Sequence, residues 1–244
     1  HAHLDHSGLI PKLVKEGFRG RILATPATVD LCGVMLLDSA HIQERDAEWE
    51  NKRRIRAGKP PVSPLYTVQE AADGITYFQG IAYGETRELG KGIEIRFRDA
   101  GHILGSAMLE LWVRDDTMEK KLVFSGDLGP LSLPLLRPFE HFKKADVVFL
   151  ESTYGDRVHE PDNEGEALAT IVNDTVKRGG KVIIPAFAVG RTQEIVYNLQ
   201  KMFTHGDLPR IPVVVDSPLA VNASQVFKKH PDVMDDETRW FVQH

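Results

Sequence analysis

The chain has 244 residues, 42% apolar and 27% charged, with a net charge of −5, which is room for one large domain or two smaller ones and excludes attraction to nucleic acid by overall charge. No stretch approaches the roughly 18 uninterrupted apolar residues of a membrane helix, and no basic-then-apolar segment marks a signal peptide, so no membrane partner is expected. The single cysteine, Cys32, cannot form an internal disulfide and suits a reducing cytoplasm.

The chain opens on His1-Ala2-His3-Leu4-Asp5-His6 without an initiator methionine and stops on Trp240-Phe241-Val242-Gln243-His244 with no turn signal; both ends read as cuts in a longer protein. Residues 8–17 carry apolar positions at helical spacing and end on Gly17. A short strand is predicted at 21–24 and a helix over about 27–56, apolar first and charged later. Its end, Asn51 to Lys59, is the densest cationic run in the chain, and Pro60, Pro61 and Pro64 terminate it. Short helices are predicted at 67–73 and 76–81. Residues 92–98, 107–114 and 120–125 alternate apolar and polar, as half-buried strands of a meander do. Residues 147–150 read as a buried strand. Beyond them the rhythm becomes helix 162–178, strand 181–185, helix 190–203, strand 211–215, helix 218–229, which implies parallel βαβ units.

The opening motif packs four metal-ligand side chains into six residues. His1 and His3 can converge on one ion, with Asp5 and His6 facing a second; imidazole and carboxylate suit zinc. A surface histidine cluster is the plain alternative, and a free amino terminus with histidine third can chelate Cu(II) or Ni(II). In DAGHILGSA, glycines around His102 allow a ring to point into a site from a strand-to-strand loop. In FSGDLG, Asp127 offers a carboxylate whose two oxygens can each take one ion. Either loop alone is equally well explained as a tight turn.

Together with Glu151-Ser152-Thr153-Tyr154-Gly155, the segment from Pro185 to Glu194 and Asp216-Ser217-Pro218-Leu219-Ala220, these motifs in this order resemble the β-CASP branch of the metallo-β-lactamase superfamily. The likeness is to the endonuclease subunit of the mRNA 3′-end cleavage and polyadenylation factor and its prokaryotic ribonuclease relatives. The resemblance implies an α/β fold: a metallo-β-lactamase αββα sandwich over 1–156, lacking its N-terminal strands, then a partial β-CASP domain over 157–244. It implies a two-zinc, metal-dependent hydrolase acting on single-stranded RNA, and a homodimer is an option for the intact protein. His1, His3, His102 and Asp127 would bind the first zinc and Asp5, His6 and Asp127 the second, with Asp5, Asp127 and Glu151 in catalytic roles. Glu151 would orient a general-acid histidine. That histidine and the last ligand of the second zinc have no counterpart in this sequence, so the chain alone is expected to cleave poorly.

Arg191, opening a helix after Gly190, and Ser106 are weaker substrate-contact candidates. The 52–59 cations can track an RNA backbone, although a solvated helix face is the plainer explanation. His41, His141, His159, His205, His230 and His244 read as exposed loop or helix-end residues. Two rivals remain: a hydrolase of a small ester or thioester on the same scaffold, and an inactive scaffold member.

Overall fold

Thr25 and Pro26 start the longest helix, as a β-region N-cap followed by proline in the first turn should. In the computed structural model, which describes residues 1–130, 134–158 and 164–243, this helix is α3 (Pro26–Arg56). It follows α1 (Leu4–Ser7), α2 (Ile10–Lys15) and β1 (Ile22–Ala24). Its buried apolar residues, Ala27, Leu31, Cys32, Met35, Leu36 and Ala40, recur singly or in adjacent pairs about once per turn and stop at Ala40, so the charged half runs on beyond the core. The cap also reaches across the fold. Thr25 Oγ1 accepts from the Thr28 amide at 3.3 Å, and both threonine hydroxyls donate to the Gly105 carbonyl, at 2.6 and 2.8 Å. Thr25→Ala removes the cap and one of those bonds, and is expected to cost about 1–2 kcal/mol. A urea midpoint unchanged from the parent protein would contradict this.

Helix α4 (Val68–Ile75) begins with a capping box between Thr67 and Glu70. The helix predicted at 76–81 is instead a strand, β2 (Phe78–Gly80), parallel to β1 with Ile22 opposite Phe78. Gly80 packs so closely on Pro26 that an added Cβ would lie 3.3 Å from its ring; pairing with β1 at this contact overrides the weak helical pattern.

The predicted meander forms, and an unpredicted strand precedes it. Strands β3 (Thr86–Gly90), β4 (Ile93–Asp99), β5 (Ala107–Arg114), β6 (Glu119–Phe124) and β7 (Val147–Phe149) lie in that order, antiparallel except for the parallel β6–β7 pair, and β3 is the one the sequence did not suggest. Ile95 and Phe97 on one face pack with Ile81, Leu23 and Tyr83. By this topology β4, β6 and β7 run the same way. The loops that follow them, carrying His102, Asp127 and Glu151, therefore gather at one end of the sheet.

Helices α5 (Glu164–Lys177), α6 (Arg191–His205), α7 (Pro218–Lys229) and α8 (Asp236–Gln243) make up most of the remainder. Residues 162 and 163 of the predicted 162–178 helix, and also His159 and His244, lie outside the described residues. The strands predicted at 181–185 and 211–215 are not formed among them. A strand is stabilised by its ladder, and these segments have none: Ile183 is 89% and Val214 81% exposed. β7, at the edge of the sheet, is exposed rather than buried, with Val148 57% and Phe149 52% exposed. The main core joins Leu31, Met35, Ile103 and Leu104 to Val189, Tyr197, Ala223 and Phe227, drawing on both sides of residue 156.

Candidate metal centre

Two backbone loops meet without side chains between them. The Gly129 amide donates to the Ala100 carbonyl at 2.9 Å, and a Cβ on Gly129 would fall 1.6 Å from the Gly101 oxygen. Only glycine fits there, and the contact locks the His102 loop to the Asp127 loop. From the other side, Gly105, at φ +81°, sits against Thr25 and Thr28 with no room for a side chain. The chain entering α1 completes the enclosure, with the Ser7 hydroxyl holding the Ala2 carbonyl at 2.9 Å.

This framework brings all six residues of the sequence-predicted ligand set together. His1 Nε2 lies 3.0 Å from His3 Nδ1, which lies 3.4 Å from His102 Nε2. One Asp127 oxygen, Oδ2, is 3.6 Å from both His1 Nε2 and His102 Nε2; the other, Oδ1, is 3.3 Å from His6 Nε2. Ligand atoms of His1, His3, His102 and Asp127 fall within 4.8 Å of one another, and those of His1, Asp5 and His6 do so as a second, more exposed group. His1 thus stands at both groups, which the sequence did not suggest.

Chemically the set fits a metal. Burial holds the His3 and His102 imidazoles below their ordinary pKa, outweighing the pull of Asp127. They are therefore neutral near pH 7, the state in which imidazole ligates. Nitrogen atoms this close, with no acidic proton demanded between them, suit a shared cation. The divided Asp127 carboxylate suits two.

Glu151 follows β7, and both its oxygens accept backbone amides: Leu128 at 2.7 Å and Thr153 at 3.4 Å. The Leu128 bond, the larger cause, holds its pKa below the ordinary value. Glu151 therefore pins the residue next to Asp127. Ser106 is 1% exposed, and its Oγ accepts the His102 and Ile103 amides at 3.0 and 3.2 Å, so it braces the His102 loop. Arg191 is half exposed and pairs with Glu194 at 3.3 Å. Gly190 before it packs on Ile103, where an added Cβ would lie 3.2 Å from the side chain, so the start of α6 adjoins the His102 loop.

His230 is not the exposed residue predicted. Its side chain is 14% exposed and bonds Asp30 of α3 at 3.0 Å. Sequence reasoning missed Thr25, Thr28, Gly129 and Tyr83, whose hydroxyl holds the Ser106 carbonyl at 2.7 Å. Only Gly129, inside FSGDLG, carried a local signal.

A Beta-Casp domain matches residues 192–243, the stretch from α6 through α8. Ribonuclease TTHA0252 of Thermus thermophilus is 38% identical over 222 residues, covering 90% of this chain and 46% of that protein. Residues 192–243 thus carry a Beta-Casp domain, in a chain similar over most of its length to a protein named as a ribonuclease. Archaeal proteins of similar sequence are those called transcription termination factor FttA. That of Lokiarchaeum sp. is 30% identical over 248 residues, and that of Methanosarcina mazei 31% over 246; the matches take in 100% and 99% of this chain and 36% of each of those proteins. The chain thus spans less than half the length of the curated relatives it matches. Its β-CASP match lies wholly beyond residue 156, and the clustered ligands lie wholly before it.

Proposed function

We propose that the protein is a zinc-dependent ribonuclease whose metal-binding residues are those of the opening motif, His102 and Asp127. The observation that carries this reading is the divided Asp127 carboxylate, with one oxygen toward His1 and His102 and the other toward His6. In this reading His1, His3, His102 and Asp127 hold one zinc, Asp5, His6 and Asp127 hold a second, and the metallo-β-lactamase-like part ends near residue 156. A pair of bound zincs supplies a hydroxide nucleophile at neutral pH and offsets charge on a phosphodiester. The chain's own residues do the positioning. Asp127 fixes the spacing of the two ligand groups, Glu151 holds the Asp127 loop through the Leu128 amide, and Ser106 holds the backbone of the His102 loop. Glu151 keeps lone pairs to orient a general-acid histidine, and no residue here matches that histidine by sequence. Such an acid is worth roughly 10²–10⁴-fold in rate, so this chain by itself should be slow by about that factor.

The names of the relatives support RNA as substrate. The small-ester reading is weaker because esterases on this scaffold have no β-CASP region. The test is incubation of a labelled single-stranded RNA, with and without zinc, beside a thioester. Slow zinc-dependent RNA fragments with 5′-phosphate ends, and no thioester turnover, are expected. Thioester turnover exceeding RNA cleavage would overturn the assignment.

A further inference from the structure

Beyond Ala40, α3 leaves the core. Its last turns are braced on one side only, by the segment that doubles back after Gly58. Asn51 bonds the Val62 carbonyl and amide at 2.8 and 2.7 Å, and Arg54 Nε donates to the Pro60 carbonyl at 2.7 Å. At about 100° per residue, Arg45, Trp49, Lys52, Arg53 and Arg56 fall together on the opposite side. Trp49 there is 65% exposed, with the Arg53 guanidinium 5.8 Å from its ring. Arg53 also pairs with Glu50, at 3.2 Å, while Arg45, Lys52, Arg56 and Lys59 form no ion pair among the described residues. Asp46 and Glu48 border this face at its two edges, one turn back. From residue 51 to residue 69 the chain has five cations and no carboxylate, in a protein of net charge −5.

An exposed indole among unneutralised cations is costly for solubility and adds nothing to the core. It offers a base a stacking face and a phosphate chain several partners at once. The opposite end of the same helix is bonded through Thr25 and Thr28 to Gly105, in the loop of His102. We propose that the Trp49 face of the α3 tip is a docking site for single-stranded RNA, remote from the metal-ligand cluster. This rests on the ribonuclease reading for the choice of RNA over other polyanions. At ~1.5 Å per residue the helix spans about 46 Å. A strand touching both ends needs up to roughly 14 nucleotides at ~3.4 Å each.

The test is fluorescence anisotropy of a labelled oligouridine of 15 nucleotides, across a salt series, with EDTA present so that cleavage plays no part. Trp49→Ala is expected to weaken binding roughly 5- to 150-fold. Replacing Lys52, Arg56 and Lys59 together by alanine should flatten the slope of log affinity against log salt by about 2, at ~0.7 per lost phosphate contact. Parent-like affinity and slope in both variants would overturn the proposal. So would polyglutamate competing as well as RNA with Trp49→Ala inert, which would make the tip a site for an acidic protein. Tip-dependent binding in a protein that never cleaves RNA would fail the nuclease reading and leave the tip assignment standing. Zinc-dependent RNA cleavage with no tip dependence would do the reverse.

Discussion

Asp127→Asn should lower zinc-dependent phosphodiester hydrolysis by roughly 10²–10⁴-fold, the equivalent of several kcal/mol of lost charge stabilisation. Each oxygen of this carboxylate faces a different ligand group, within 3.6 Å of His1 and His102 and 3.3 Å of His6. The amide keeps the shape but removes the negative charge common to both groups, and one of its two atoms can no longer accept. His6→Ala touches the more exposed group alone and should cost less. Rates for the two variants, with zinc content measured on the same samples, check this. A His6→Ala protein slower than Asp127→Asn would show that Asp127 is not the shared ligand.

Glu110→Gln should destabilise the protein by about 3 kcal/mol at pH 7. Glu110 on β5 is 1% exposed yet meets Arg96 Nε at 2.6 Å, Arg98 Nε at 3.0 Å and Lys121 Nζ at 2.5 Å. Burial alone would raise its pKa. The hydrogen bonds of Arg96, Lys121 and Arg98 outweigh burial and bring it from an ordinary 4.5 down to about 2. A depressed carboxylate pKa contributes stability that is complete above the ordinary value and is lost as pH falls through the folded one. The window is therefore pH 4.5 to about 2, and the drop of about 2.5 units corresponds to roughly 3 kcal/mol. Replacing the charge also leaves three cations facing one another across a sheet face. Urea titrations at pH 7 and pH 3 should show the variant's deficit at pH 7 shrinking at pH 3. A deficit of the same size at both would mean that ionisation of Glu110 contributes nothing.

The clustering of these six side chains was legible because its information is local: four ligand side chains lie in six residues, and His102 and Asp127 each sit in a glycine-framed loop. What holds the centre was not. Thr25 and Thr28 reach Gly105 across 80 and 77 positions, and His230 reaches Asp30 across 200, with nothing in either local sequence to announce it. The bracing by Ser106 was hidden for a related reason: its hydroxyl is taken up by two amides of its own loop, which no local pattern announces. The helices from Pro26 to Arg56 and from Pro218 to Lys229 followed their caps and periodicity closely. The apolar runs near Ile183 and Val214 show the limit of pattern. Composition states that a segment can be a strand, but only a neighbouring edge makes it one.

Zinc-edge anomalous diffraction from crystals grown with zinc tests the central claim most directly. Two peaks are predicted, one enclosed by His1, His3, His102 and Asp127, the other beside Asp5, His6 and the second oxygen of Asp127. No peak, or one held by the amino terminus and His3 without His102 and Asp127, would contradict it.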